Sequence, residues 1–139
     1  MAHWLVKSEP GTWSWDQQVK SGAKGEPWTG VRNHQAKLWL MAMKKGERAL
    51  FYHSGEVKAV VGVVEVVRAA YPDPTAESGP WVCVDVKAIA PFKTPVTLSE
   101  AKADPKLKEM VLVKNSRFSV QPVTDAEWKH LCERGGVQT

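Results

Sequence analysis

A valine-rich run at residues 58–67, Lys-Ala-Val-Val-Gly-Val-Val-Glu-Val-Val, limits the folds open to this chain more than any other segment. A nearly continuous apolar run of this length predicts a strand that is buried on both faces or that curls round a barrel. Residues 48–53 read as another strand, and the turn Ser54-Gly55-Glu56 between the two predicts a hairpin. Gly62 inside the run marks a bulge or a bend.

Further strands are predicted at residues 3–7, 81–89 and 115–121. Pro91 and Pro95 should end the second of these, because proline cannot donate to a ladder. Strands thus dominate the middle of the chain, and helical patterns lie near both ends and between strands. This order favours a compact β-barrel decorated by short helices over alternating βαβ units. By length and pattern we expect a single domain, residues 1–139.

Capping residues mark the starts of four predicted helices. They are Ser14 for residues 13–20, Asn33 for residues 34–43, and the capping boxes Thr97-Leu-Ser-Glu100 and Thr124-x-x-Glu127. The last helix should end at Gly135-Gly136, since glycine is the usual residue after a helix C-terminus.

The segment Glu26-Pro-Trp-Thr-Gly-Val-Arg-Asn-His-Gln-Ala36 gathers several binding side chains within a few residues. Its proline and glycine place Trp28 on a loop, and Arg32 lies just before the helix start at Asn33. A flat ring, a guanidinium and the open N–H groups of a helix start suit a planar, polar ligand with or without a phosphate. The alternative is that Trp28 packs in the core and that Arg32 is a solvated surface charge.

Polar side chains also end the first strand. Lys7, Ser8 and Glu9 precede the Pro10-Gly11 turn, where side chains can point into a cleft. A carboxylate there can accept from the amino edge of a base, and a lysine can meet a phosphate. A surface ion pair between Lys7 and Glu9 is the simpler interpretation of either residue alone.

Tyr52, His53 and Ser54 form a second polar strand end. Without a partnered nucleophile, His53 is better interpreted as a hydrogen-bonding group than as a general base. The sequence has no phosphate loop, no dinucleotide glycine fingerprint, no nucleophile elbow and no Cys/His metal cluster. We therefore expect no enzyme, no metal and no cofactor.

Composition narrows the partner and the compartment. Seven tryptophans among 139 residues indicate either a pocket for flat molecules or a dense aromatic core. The net charge of +4 and the pI of about 9.1 permit an anionic partner, and the even spread of Lys and Arg argues against a polybasic tail. Cys83 and Cys132 are expected to be reduced, buried thiols of a cytoplasmic protein without a signal peptide. No apolar run is long enough for membrane insertion.

Four separated segments resemble, in order and spacing, the signature segments of the EVE domain: Trp4-Leu-Val-Lys-Ser-Glu-Pro10, Trp28-Thr-Gly-Val-Arg-Asn33, Phe51-Tyr-His-Ser54 and Ser116-Arg-Phe-Ser-Val-Gln-Pro122. The resemblance spans nearly the whole chain, with small departures at His34 and Phe118, where tyrosine and leucine are common. The EVE family is related to the YTH readers of methylated adenine. It implies an α+β fold, a PUA-like β-barrel of about five to six mostly antiparallel strands flanked by short helices.

The resemblance also implies a base-binding pocket. Trp28 would supply its stacking wall, Arg32 and Asn33 would contact the base edge or a phosphate, and Arg117 and Ser119 would close it. The implied pocket residues are Lys7, Ser8, Glu9, Trp28, Val31, Arg32, Asn33, Tyr52, His53, Ser54, Arg117 and Ser119.

The function implied by the resemblance is non-catalytic binding of a modified nucleobase, of the 5-methylcytosine or 5-hydroxymethylcytosine type, in DNA or RNA by a monomer. The alternatives are an ASCH-like amidohydrolase of modified nucleosides, with Lys7 and Glu9 as acid and base, or a small-molecule sensor. For a base reader, we expect Trp28→Ala to abolish binding and to leave the thermal melt nearly unchanged.

Overall fold

The structure, a computed structural model, describes residues 1–115 and 117–138. The strands are β1 (His3–Ser8), β2 (Glu26–Pro27), β3 (Arg48–His53), β4 (Ala59–Pro72), β5 (Val82–Thr97) and β6 (Val120–Val123). The helices are α1 (Trp15–Lys20), α2 (His34–Ala42), α3 (Leu98–Ala103), α4 (Val111–Lys114) and α5 (Asp125–Gly135), with a 3₁₀ turn at Pro105–Leu107.

The strands form one sheet in the order β2-β5-β4-β3-β1-β6. β1 pairs in parallel with β3, and the other neighbours are antiparallel. The predicted α+β class and the predicted five to six mostly antiparallel strands with short flanking helices are therefore confirmed. Among the described residues the ladder runs open from β2 to β6, without the closure of a complete barrel.

The predicted hairpin is β3–β4, and its bulge lies beside Gly62. Phe51 pairs with Gly62 and Tyr52 with Val60, which leaves Val61 without an opposite residue in β3. A Cβ atom at Gly62 would lie 2.5 Å from the ring of Trp15 in α1. Glycine at this bulge therefore lets α1 lie directly on the sheet.

The prediction that Pro91 and Pro95 end the strand expected at residues 81–89 is wrong, because that strand, β5, continues to Thr97. Among the residues that the structure describes, β2 pairs with β5 only at Asp85 and Val86, so the proline-bearing half of β5 has a neighbouring strand, β4, on one side alone. Proline is tolerated at such an edge, where its missing N–H breaks no ladder bond.

The last strand also differs from its prediction. Residues 111–114 form α4, and β6 begins only at Val120. The Asn115 side chain accepts a hydrogen bond from the Arg117 N–H at 3.2 Å, which turns the chain before the strand. Ser116, part of the predicted strand, lies outside the described residues.

The four predicted caps are confirmed. The side chains of Ser14, Asn33, Thr97 and Thr124 each accept a backbone N–H from the first turn of their helix. Gly136 caps α5 with φ +73°, in the left-handed region that glycine adopts readily. Caps of this kind contribute about 1 kcal/mol each.

Two hydrophobic clusters cover the two faces of the sheet. Successive residues of β1 alternate between them, with Val6 in one and Leu5 in the other. Trp15 of α1 and Leu40 of α2 complete the first cluster, and Leu131 of α5 belongs to the second. The sheet is therefore a two-sided core layer, and its strand ends are left to build a site.

Cys83 and Cys132 are both buried, as predicted, and neither forms a disulfide with another described residue. In the part of the chain that the structure describes, no helix is long and apolar enough to cross a bilayer. The same residues hold no group of three or more His, Cys, Asp or Glu side chains that could bind a metal ion.

Candidate functional site

Two clefts open beside the C-terminal end of β1, and Lys7 lines both. The first, here called the aromatic cleft, has a volume of about 330 Å³. Its lining residues are Lys7, Ser8, Glu9, Thr12, Trp13, Glu26, Pro27, Trp28 and Thr29. It thus combines two indole side chains with two carboxylates and one ammonium group.

The second cleft, here called the basic cleft, has a volume of about 490 Å³. Its lining residues are Lys7, Tyr52, Ser54, Gly55, Lys58, Leu98, Lys102, Arg117 and Ser119. Four of these carry a positive charge and none carries a carboxylate. The two clefts therefore differ in charge although they share a wall.

Lys7 lies in that shared wall, and its backbone is held by the residue that precedes β6. The Lys7 N–H donates to the Ser119 carbonyl at 2.8 Å. The Lys7 ammonium lies 5.4 Å from the centre of the Tyr52 ring, a cation–π distance. Burial lowers the pKa of Lys7 below its usual value. A partly dehydrated ammonium of this kind interacts more strongly with an incoming anion or carbonyl than a solvated one.

Hydrogen bonds hold the Trp13 wall of the aromatic cleft. The Ser8 hydroxyl donates to the Trp13 carbonyl at 2.6 Å, and the Trp13 N–H donates to the Glu9 carbonyl at 2.9 Å. The Trp13 indole N–H donates to the buried amide of Gln18 at 2.9 Å, and Gln18 donates to the Val86 carbonyl at 2.9 Å. The ring orientation is therefore set by a chain of bonds that reaches β5.

Trp28 is the other aromatic wall. Its backbone N–H donates to the Val84 carbonyl at 2.7 Å, and its ring meets Phe51 edge to face with 5.4 Å between centroids. The residue is only 7% exposed, yet it lines the cleft. The expectation that Trp28→Ala leaves stability unchanged is therefore wrong, because truncating a buried tryptophan costs about 3–5 kcal/mol.

Arg32 lies outside both cleft linings and ties the loop that carries Trp28 to the β4–β5 connection. Its guanidinium donates to Asp73 at 3.1 Å, and Asp73 also accepts from the Gly30 N–H at 2.9 Å. Burial opposes the charge on Asp73, but hydrogen bonds from Thr75, Gly30 and Arg32 lower its pKa to about 2. Contact of Arg32 with a base edge or a phosphate stays a prediction.

Three other predicted pocket residues also lie outside the two linings. Val31 is buried in the core, and the Asn33 side chain accepts from the Ala36 N–H at 2.9 Å as the cap of α2. His53 Nε2 accepts from the Trp15 N–H at 3.0 Å, which requires that nitrogen to be unprotonated. Burial lowers the pKa of His53, and Asp16 partly opposes this. Their roles in binding stay predictions.

The other predicted pocket residues line one or both clefts. Lys7, Ser8, Glu9 and Trp28 line the aromatic cleft, and Lys7, Tyr52, Ser54, Arg117 and Ser119 line the basic cleft. The Ser54 N–H donates to the Ser8 carbonyl at 2.9 Å, which joins the two strand ends. Burial raises the pKa of Tyr52.

Sequence reasoning missed several lining residues. In the aromatic cleft these are Thr12, Trp13, Glu26, Pro27 and Thr29, and in the basic cleft Gly55, Lys58, Leu98 and Lys102. A tryptophan directly between the Pro10-Gly11 turn and the cap Ser14 was a usable signal for Trp13. Lys58 and Lys102 carry no such signal, because isolated lysines are common on any surface.

The mixed sheet flanked by short helices places the chain among the PUA-like α+β folds. The YTH domain of Zygosaccharomyces rouxii MRB1 protein covers 99% of this chain and 89% of its own at 19% identity with a TM-score of 0.57, a likeness of fold alone. The EVE domain model matches residues 2–134, so the chain belongs to the EVE family.

Several relatives have a substantially higher sequence identity to this chain than the YTH domain has. Rpa0253 from Rhodopseudomonas palustris is 62% identical, with a TM-score of 0.92 over 98% of this chain and 94% of that one. Human THYN1 protein, solved in complex with 5-methylcytosine containing DNA, is 33% identical, with a TM-score of 0.87 and full coverage of both chains. Chicken thymocyte nuclear protein 1 is 36% identical over 91% of this chain. The match spans 65% of the length of that relative.

Proposed function

We propose that this protein binds a modified base of nucleic acid in the aromatic cleft and catalyses no reaction on it. The observation that carries this proposal is that Trp13 and Trp28 line the same cleft as the Glu9 and Glu26 carboxylates and the Lys7 ammonium. Indoles offer stacking faces for a flat heterocycle, and the charged groups can contact its edge. The complex of the related human THYN1 protein with 5-methylcytosine containing DNA supports the proposal.

The charges of the aromatic cleft favour a base with an amino group. A carboxylate of Glu9 or Glu26 accepts from the N4 amino group of cytosine, as acidic side chains do in duplex readout. Thymine and uracil present a carbonyl oxygen at that position, which a carboxylate repels. Lys7 can donate to the remaining carbonyl of the ring. We therefore propose a cytosine-type base, of the 5-methylcytosine or 5-hydroxymethylcytosine type, in DNA or RNA.

Stacking alone gives modest affinity and little selectivity for the modification. One base stacked on an aromatic side chain contributes about 1–3 kcal/mol. A buried methyl group adds about 0.8 kcal/mol, roughly a fourfold change in affinity. A hydroxymethyl group can also hydrogen-bond, and Thr12 and Thr29 supply hydroxyls in the lining. A hydroxymethylated base should therefore be discriminated more strongly than a methylated one.

The test is a binding panel of short single-stranded DNA and RNA oligonucleotides that differ at one base: cytosine, 5-methylcytosine, 5-hydroxymethylcytosine or thymine. Trp13→Leu should lower affinity for the modified oligonucleotide about tenfold, equivalent to about 1.4 kcal/mol. Trp81→Leu is the matched control, since Trp81 is also half-buried but lies outside both cleft linings, where its ring contacts the His34 ring and the Arg32 guanidinium. Equal binding by parent and Trp13→Leu, or thymine bound as well as the modified cytosines, would contradict the proposal.

An amidohydrolase acting on a modified nucleoside is the second candidate. The lowered pKa of Lys7 and the carboxylates in the same cleft favour it, since an acid and a base can act from one pocket. Incubation with N4-acetylcytidine followed by chromatography separates the two candidates. Release of cytidine by the parent but not by Lys7→Met would replace the binding proposal with the hydrolase.

A further inference from the structure

Three elements far apart in sequence bring cations into the basic cleft. Lys58 lies in the turn between β3 and β4, Lys102 lies on α3, and Arg117 lies just before β6. Lys7 at the end of β1 adds a fourth positive group. The Glu9 carboxylate lies against Gly55 at the border with the aromatic cleft and offsets part of this charge.

The position of Lys58 is fixed by the backbone. The Lys58 carbonyl accepts from the Leu98 N–H at 2.8 Å, which fastens the β3–β4 turn to the start of α3. Leu98 and Lys102 are four positions apart on that helix and therefore share a face. The turn and the helix thus present Lys58 and Lys102 to the same cleft.

Lys58 also has φ +48°, the one positive value of a non-glycine residue in the described ranges 1–115 and 117–138. A side chain in the left-handed region costs free energy, and such residues cluster at functional sites. Glycine would adopt this conformation without a steric penalty, yet position 58 holds a lysine. This conformation is an observation separate from the clustering of charge.

Within residues 1–115 and 117–138, Lys58, Lys102 and Arg117 form no ion pairs. No salt bridge links any of these three side chains to another described residue, whereas Arg48, Lys87 and other surface cations are paired. Like charges around a cleft of about 490 Å³ create a local positive potential that favours a bound anion.

We propose that the basic cleft is a phosphate subsite, formed by Lys58, Lys102 and Arg117 next to Lys7. This proposal rests on the proposed function only in one respect: the phosphate bound in the basic cleft belongs to the nucleotide whose base lies in the aromatic cleft. Lys7 lines both clefts, so base and phosphate of one nucleotide are held on either side of it. The phosphate is either a diester of the nucleic-acid backbone or a terminal monoester.

The first experiment uses inorganic phosphate alone, followed by NMR shifts of the Gly55 and Leu98 amides. These should shift in the parent and stay still in the double variant Lys58→Gln/Lys102→Gln. The matched control is Lys106→Gln/Lys129→Gln, which removes two exposed lysines from a depression beside His130. Shifts equal in all three proteins, or absent from the parent, would overturn the subsite whether or not a base binds.

The second experiment measures oligonucleotide affinity against salt concentration. Loss of one phosphate contact should lower the slope of log affinity against log salt by about 0.7 for a single strand, and affinity by about tenfold at low salt. The control variant should keep both values. An unchanged slope in Lys58→Gln/Lys102→Gln with intact base selectivity would refute the phosphate subsite and leave the proposed function standing.

A third comparison separates the two sources of phosphate. A nucleoside, its 5′-monophosphate and a dinucleoside monophosphate are titrated into the parent and the double variant. A gain from the monophosphate that the variant loses indicates a terminal phosphate, and a gain only from the dinucleoside monophosphate indicates a backbone diester. Equal affinity for all three ligands would again overturn the subsite.

Discussion

The Glu9 carboxylate lies against Gly55 so closely that a Cβ atom at Gly55 would be 2.6 Å from Glu9 Oε1. Glu9 lines the aromatic cleft and Gly55 lines the basic cleft. The contact therefore forms part of the wall between the two clefts. A substitution at Gly55 should change the position of the Glu9 carboxylate in the aromatic cleft.

Gly55→Ala should weaken base binding as well as stability. Its φ of +75° disfavours a side chain by about 1 kcal/mol, and the new methyl group must also displace the Glu9 carboxylate. Urea unfolding and the oligonucleotide panel measure the two effects. Gly22→Ala is the matched control, since Gly22 has φ +71° but no atom within 4 Å of the added Cβ. If both variants bind like the parent, the contact has no part in recognition.

Asp73→Asn should loosen the loop that carries Trp28. The neutral amide cannot accept as strongly from Gly30, Arg32 and Thr75, and hydrogen bonds to a charged group contribute about 1.5–3 kcal/mol each. We expect lower unfolding free energy and weaker binding, measured by urea titration and by the panel. Arg32→Gln removes one of these donors and should cause a smaller loss. A larger loss from Arg32→Gln would point to direct ligand contact by Arg32.

The same carboxylate should contribute to acid unfolding. Its pKa of about 2 lies below the usual 3.8, so its stabilisation is fully present above pH 3.8 and is lost as the pH falls through 2. The stability difference between the parent and Asp73→Asn should therefore narrow between pH 4 and pH 2, a window set by about these two pKa values. Thermal melts of both proteins from pH 2 to pH 7 measure it. A constant difference would mean that Asp73 has an ordinary pKa.

Gly62→Ala should destabilise the protein by about 1–3 kcal/mol, because overpacking forces shifts in neighbouring groups. Its Cβ would lie 2.5 Å from the Trp15 ring. Trp15→Leu replaces that ring with a smaller side chain. Gly62→Ala should therefore lower the unfolding free energy less in the Trp15→Leu background than in the parent. A double-mutant cycle of unfolding free energies measures the coupling. Additive effects would contradict the contact.

Lys58→Gly should raise stability while it weakens phosphate binding. Glycine adopts φ +48° without a steric penalty, so we expect a gain of about 1 kcal/mol in unfolding free energy. Val57→Gly is the control, since the neighbouring Val57 has no positive φ and glycine there should destabilise. A loss of stability in Lys58→Gly would show that the lysine conformation is not strained.

Much of the local structure was predictable because its causes lie within a few residues. Ser14, Asn33, Thr97 and Thr124 cap helices through bonds to residues three positions on. The β3–β4 hairpin and its bulge follow from a valine run interrupted by Gly62. The error at β5 had a tertiary cause, since the prolines are accommodated by the short reach of β2.

The candidate site was predicted only in part, for the same reason. Lys7, Glu9 and Trp28 lie at strand ends or turns that local patterns mark, and the structure brings all three to one cleft. The sequence pattern places Trp13 at a helix start, and its place in that cleft depends on Gln18 and β5.

The amino-acid sequence by itself determined β1, the β3–β4 hairpin, the helix caps and the polar strand ends, because short-range sterics and periodicity dictate them. Only the tertiary structure decided that Arg32 binds Asp73, 41 positions away, and that Lys58, Lys102 and Arg117 meet in one cleft. Such pairings depend on closing long loops against a packed sheet. Local propensity carries no information about which distant residues then face each other.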